Sequence, residues 1–177
     1  MKELVFIGDS LTEYFDWQSR FPAYKIHNLG VAGEPVEGLL ERLKYTKLLS
    51  VPDCIFVMTG INNLWLEQQN IQPLYERVLD RMQNEFAGAG IVVQSILPVA
   101  MWVEPDLIVQ INQSLRTMAS ARGMYYLDVH SLFFGADGEL IRSCLDSDGV
   151  HLTNEGYAVW AGAIEKFLDT RWNGLRI

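Results

Sequence analysis

Cysteine is nearly missing from this chain, since Cys54 and Cys144 are the only two among 177 residues, and neither belongs to a C-x-x-C pair. That excludes a disulfide framework and a thioredoxin-like redox motif, and Cys54, set in an apolar run, reads as a small core residue. Histidine is just as sparse. Three scattered histidines with no H-E-x-x-H and no Cys/His spacing do not build a zinc site, so no metal is expected. Positive charge is short as well: 14 Lys and Arg stand against 22 Asp and Glu, a formal charge of -8. No basic run is long enough to neutralise a row of phosphates, which excludes nucleic acid as a partner. The longest apolar runs, such as Gly90 to Val93 and Ile96 to Trp102, fall far short of the roughly 20 residues that cross a bilayer, so no transmembrane segment is expected. Met1-Lys2-Glu3 leads straight into an apolar stretch that reads as structure rather than as a leader, and the expected location is cytoplasmic. Neither G-x-x-x-x-G-K-[ST] nor G-x-G-x-x-G follows the first strand, so no nucleotide cofactor is expected. No Gly/Ser or Pro-rich linker and no repeat divides the chain, which reads as one domain over residues 1–177.

What is present is an apolar half: hydrophobic residues make up 49% of the chain, enough to bury a core. Short apolar runs alternate with longer amphipathic ones, the pattern of βαβ units carrying a parallel sheet covered on both faces. Strands are predicted at Leu4 to Ile7, Tyr24 to Leu29, Cys54 to Thr59, Ile91 to Leu97 and Met124 to Asp128. Between them, apolar stripes at helical spacing include Val36, Leu39, Leu40 and Leu43; Ile71, Leu74, Val78, Met82 and Phe86; and Ile108, Ile111, Leu115 and Met118. A last helix carries Tyr157, Trp160, Ala161, Ile164 and Leu168, with Thr153 or Asn154 as its N-cap. The implied architecture is an α/β fold, a three-layer α/β/α sandwich, whose ligands bind beyond the carboxyl ends of the strands.

The loops at those ends carry the chemistry. Gly8-Asp9-Ser10-Leu11-Thr12 places a serine at the tip of the turn after the first strand, where it serves either as a nucleophile or, with Asp9, as a helix cap. Thr12 stands where the second glycine of a G-x-S-x-G elbow belongs, which disfavours the fold built around that motif. Gly33 follows the second strand and Asn62 the third. Glycine lets backbone approach a ligand and asparagine offers amide protons without charge, so both suit an oxyanion hole, although each is also an ordinary turn residue. Near the end, Asp148 lies three residues ahead of His151. A carboxylate so placed can fold back onto the ring and leave Nε2 free as a general base. His27 and His130 read as structural.

The joint occurrence of these blocks is specific. Phe6-Ile7-Gly8-Asp9-Ser10-Leu11-Thr12, Gly30-Val31-Ala32-Gly33-Glu34, Gly60-Ile61-Asn62-Asn63 and Asp148-Gly149-Val150-His151-Leu152 together resemble the GDSL, or SGNH, family of serine esterases and lipases over residues 4 to about 168. The resemblance implies a flavodoxin-like five-stranded parallel sheet of order 2-1-3-4-5, with Ser10 as nucleophile, His151 as base and Asp148 orienting the imidazole. It also implies an oxyanion hole from the Ser10 and Gly33 N–H groups and the Asn62 side chain, and no cofactor. Asn63 departs from the usual G-x-N-D third block. G-x-N-N looks like the variant in platelet-activating-factor acetylhydrolase relatives, and the departure bears on the hydrogen bonding that holds this loop.

The implied activity is hydrolysis of a small-molecule carboxylic ester or thioester through an acyl-enzyme. A carbohydrate O-acetyl esterase of the same fold, a catalytically silent binding module and a flavin-binding relative of the fold are the alternatives. Leu11, Asn63, Trp65, Met101, Trp102 and Val150 are the expected substrate-binding residues. The apolar segments 64–66 and 98–103 either wall the site or pack against a second copy of the chain in a homo-oligomer.

Overall fold

The computed structural model describes residues 1–46, 48, 50–100 and 103–172. Five parallel strands, β1 (Glu3–Gly8), β2 (Lys25–Gly30), β3 (Cys54–Met58), β4 (Gly90–Gln94) and β5 (Tyr125–Leu127), form one sheet in the order β2-β1-β3-β4-β5. The expected order is therefore found. Every residue of β3 and all but the first of β1 is buried, because helices cover both faces of these central strands, and this is why they read as unbroken apolar runs. β2, at one edge, is only partly buried along its length.

Among the described residues seven α-helices accompany the strands: α1 (Ser10–Glu13), α2 (Trp17–Arg20), α3 (Val36–Arg42), α4 (Ile61–Trp65), α5 (Gln72–Glu85), α6 (Pro105–Ala121) and α7 (Asn154–Phe167). The apolar stripe of α5 buries Tyr75, Val78, Leu79 and Met82, and that of α6 buries Ile108, Ile111, Leu115 and Met118. Pro105 opens α6, where its missing N–H costs nothing. Thr153 caps α7 by accepting from the Gly156 N–H.

Aromatic packing joins the Ser10 end of the chain to α7. The Phe6 ring stacks on Trp17 at 4.2 Å and on Phe56 at 5.2 Å, and Trp17 meets Trp160 of α7 edge-on at 4.9 Å. The polar tips of Trp17, Tyr157 and Trp160 each find a partner. Trp17 Nε1 donates to the Thr12 carbonyl at 2.8 Å, Tyr157 Oη to the Leu11 carbonyl at 3.0 Å, and Trp160 Nε1 to Gln94 Oε1 at 2.7 Å. Two of these bonds hold carbonyls of the α1 segment, so the core itself fixes the turn that carries Ser10.

Three strands are shorter than expected, β3 by the single residue Thr59, and β4 and β5 for a local reason. After Gln94 the Ile96 N–H and carbonyl both bond to the side chain of Asn112 on α6, at 2.7 and 2.9 Å, and so leave the sheet ladder. Beyond Leu127 the Val129 and His130 N–H groups donate to Ser95 Oγ instead of to a strand. The segment 64–66, expected as a loop, is instead the end of α4: Leu64 is buried in the core, while Trp65 and Leu66 are exposed.

Candidate active site

Ser10 is the first residue of α1, immediately past the end of β1. Gly8 permits that close join, since a Cβ there would stand 2.0 Å from the Met58 carbonyl oxygen of the neighbouring strand. Asp9 is the N-cap, its Oδ1 accepting from the Leu11 N–H at 3.1 Å. The capping alternative raised by the sequence thus applies to Asp9, and it leaves the Ser10 hydroxyl free for other work.

His151 reaches Ser10 from 141 positions away: His151 Nε2 and Ser10 Oγ are 2.9 Å apart. On the other side of the ring, Nδ1 lies 2.5 Å from Asp148 Oδ2. Asp148 Oδ1 accepts two backbone N–H groups, from Val150 and His151, each at 2.9 Å. Burial raises the Asp148 pKa, but the imidazole bond and these two donors outweigh it and hold the carboxyl down at about 2. An ionised carboxylate only accepts, so Nδ1 carries the proton and Nε2 is left to accept from the serine hydroxyl. The loop is itself braced: the Asp146 N–H donates to the His151 carbonyl at 2.7 Å, and Leu145 and Leu152 form an antiparallel bridge.

Asn62 is the second residue of α4, and its Nδ2 donates to the Glu34 carbonyl at 3.1 Å. That bond uses one amide proton and leaves the second. Gly33, one residue before Glu34, sits at φ +74° in an exposed turn closed by the Glu34 N–H on the Val31 carbonyl. The positive φ favours glycine, although a side chain at that position would meet open space.

Ser10, Ile61, Asn62, Trp65, Asp148, Val150 and His151 line one cleft of about 210 Å³. Trp65 and Val150, both expected at the substrate, line this cleft. Leu11 and Asn63 do not. Leu11 is buried under α7, with its carbonyl taken by Tyr157, and Asn63 is wholly buried against α3; neither lines the cleft. A residue directly after Ser10 on a helix turns toward the core, and one directly after Asn62 does the same. Met101 and Trp102 lie outside the described residues. Gly33 borders the cleft through Glu34 rather than lining it.

Three residues of the site escaped the sequence reading. Ile61 forms part of the wall, and the Glu34 carbonyl orients Asn62. The Tyr14 ring lies 5.4 Å from that of His151, tilted by 30°. Spacing gives a signal for the last, since position 14 is one helical turn beyond Ser10 and hence on the same side.

Asp9 is the site's buried acid. Its Oδ2 is buried without a hydrogen-bond partner, as are the hydroxyls of Thr12 and Thr59. Burial raises its pKa from 3.8 to about 7, against the lowering effects of the Leu11 N–H and of His151. A carboxyl whose folded pKa is raised costs the fold nothing below its unfolded pKa, progressively more as pH rises, and a constant amount above its folded pKa. The full cost here is on the order of 4 kcal/mol. Asp9→Asn keeps the capping oxygen and stays neutral, so its Tm relative to wild type should rise steadily between pH 4 and pH 8. A Tm difference that is the same at both ends of that range would refute the assignment of a raised pKa.

Together the sheet order, the serine at the end of the first strand and the returning histidine define an ester hydrolase of the α/β class. Residues 6–159 match the GDSL-like Lipase/Acylhydrolase family, and the chain belongs to that family. It is 28% identical over 165 residues to platelet-activating factor acetylhydrolase IB subunit alpha2 of Homo sapiens, and equally to that of Rattus norvegicus, covering 88% of this chain and 71% of each relative. A Streptococcus pneumonia structure solved under the working name of a platelet activating factor is 26% identical, with a TM-score of 0.85 over 94% of this chain and 84% of that one. A lipase/acylhydrolase from Enterococcus faecalis shares the fold at a TM-score of 0.81 and 19% identity, over 97% of both chains. No helix among the described residues is long and apolar enough to cross a membrane.

Proposed function

We propose that the protein cleaves small carboxylic esters through Ser10, His151 and Asp148, by way of an acyl-enzyme. The observation that carries this is the unbroken relay from Asp148 Oδ2 through His151 to Ser10 Oγ, at 2.5 and 2.9 Å. Nε2 takes the hydroxyl proton as Oγ attacks the ester carbonyl, and the imidazolium that forms is stabilised by the ionised Asp148. Charge then develops on the carbonyl oxygen. The Ser10 N–H, the Gly33 N–H and the remaining amide proton of Asn62 are the donors for it, the last held in place by its bond to Glu34. His151 protonates the departing alkoxide. Water repeats the sequence on the acyl-enzyme, releasing the acid and restoring Ser10.

A cleft of about 210 Å³ walled by Ile61, Trp65 and Val150 suits a short acyl group, being smaller than the roughly 300 Å³ at which pockets for drug-sized ligands begin. The acetylhydrolase names of the relatives agree with an acetyl ester. A carbohydrate O-acetyl ester meets the same acyl-side requirement and stays as the second reading. Nitrophenyl esters from acetate to decanoate, run beside acetylated sugars, should show kcat/KM falling steeply beyond short chains. A fluorophosphonate should label Ser10. Absence of both turnover and labelling would instead favour a silent binding module.

A further inference from the structure

We propose that Asn63 is a positioning residue for the oxyanion hole, and that Glu37 requires it to be an amide rather than a carboxylate. The inference rests on the oxyanion-hole reading above. Asn63 is completely buried, and its side chain ties α4 both to the first turn of α3 and to Gln68, just past the end of α4. Its Oδ1 accepts the Val36 N–H at 2.8 Å, while its Nδ2 donates to Glu37 Oε2 at 2.8 Å and to Gln68 Oε1 at 3.0 Å.

The first of these bonds replaces a cap that α3 lacks. The N-cap position of α3 is Pro35, which has no side-chain acceptor to offer the first turn, so the Val36 N–H is satisfied from the neighbouring helix instead. Beside it, Asn62 Nδ2 bonds to the Glu34 carbonyl. Two adjacent asparagines thus sew the segment after Gly33 to the start of α4, and the two loops that supply oxyanion donors meet along this seam. The far side of the Gly33 turn is held separately. Glu13 Oε2 accepts from the Ala32 N–H at 2.6 Å, and Arg42 forks onto Glu34 at 2.8 and 2.7 Å. Releasing the Asn63 seam therefore lets α3 move relative to α4 while the turn keeps its shape, and changes the distance between the Gly33 and Asn62 donors. Misplacement of about 1 Å is enough to cost roughly a hundredfold in rate.

The amide is needed because of what faces it. An aspartate at position 63 would still accept from Val36. Gln68 could turn its own amide to donate to the new carboxylate, but Glu37 has no proton to give, and two carboxylates would meet at hydrogen-bond distance in a site closed on one side. Asn63→Asp should therefore lower kcat by roughly ten- to a hundredfold with KM little changed, because the donors act on the transition state more than on the bound ester. Adding Glu37→Gln, which supplies the missing proton, should restore most of the loss.

The test compares wild type, Asn63→Asp and the double variant Asn63→Asp/Glu37→Gln on p-nitrophenyl acetate, with Tm and circular dichroism on each. A kcat loss relieved in the double variant, at similar KM, supports the proposal. So does an Asn63→Asp chain that fails to fold beside a double variant that folds and turns over near the wild-type rate. Wild-type kcat in Asn63→Asp, a loss that Glu37→Gln does not relieve, or a fall in Tm without a fall in kcat each overturns it, as does failure of both variants to fold. If wild type itself neither hydrolyses the ester nor reacts with a fluorophosphonate, the proposed function fails and takes this inference with it. An active wild type with an unaffected Asn63→Asp removes only the inference.

Discussion

Replacing Ser10 by alanine should reduce hydrolysis of p-nitrophenyl acetate to the background of the reagent, a loss on the order of 10⁶-fold in kcat. The size of the effect follows from chemistry rather than packing. The Ser10 side chain is small, and its hydroxyl is paired with His151 Nε2 and not with the core. Removing it deletes the proposed attacking atom while α1 keeps its cap from Asp9 and its core anchors from Trp17 and Tyr157. Tm should therefore move little. A folded Ser10→Ala protein that turns over ester at the wild-type rate would mean that the relay at the cleft is not the catalyst, and labelling by a fluorophosphonate at some other residue would point to the real one.

Asn62→Ala is the second large effect expected, a fall of roughly 10²- to 10³-fold in kcat, or about 3 to 4 kcal/mol of transition-state stabilisation. Asn62 makes no hydrogen bond to Ser10, His151 or Asp148 in the resting protein; its side-chain bond is to the Glu34 carbonyl. The reacting group it would meet exists only once the carbonyl carbon has become tetrahedral. KM should accordingly stay within a few fold of wild type while kcat falls. Two changes accompany the substitution, loss of the donor and loss of the tie to Glu34, and Asn63 keeps α3 and α4 joined through Val36 after both. A kcat loss below tenfold with an unchanged Tm would remove Asn62 from the oxyanion hole.

Much of this arrangement could be read along the chain, and the reasons are local. All-apolar runs such as Cys54-Ile55-Phe56-Val57-Met58 announce buried parallel strands, since both faces of such a strand are covered. The stripes of α5 and α6 repeat at helical spacing because each helix buries one side. The Asp148 and His151 pair is legible because three residues on one loop suffice to bring a carboxylate to a ring, and that bond is found. The limits of β4 were not legible. They depend on Asn112, sixteen positions beyond Ile96, whose side chain takes over the backbone groups that a strand would have used. The same holds for Asn63, placed by the sequence reading at the substrate and found holding α3.

Identity of residue, alternation of pattern and short spacing belong to the chain alone: which segments become strands, which face of each helix is apolar, which serine follows the first strand, and which carboxylate serves which histidine. Tertiary structure decided the rest. It brought Ser10 Oγ to 2.9 Å from His151 Nε2 across 141 positions, turned Asn62 toward the cleft and Asn63 away from it, and buried Asp9 deeply enough to raise its pKa to about 7. The division has one physical cause. Propensity and periodicity act over a few residues, whereas hydrogen bonding and desolvation depend on whatever the folded chain carries into the same few ångströms.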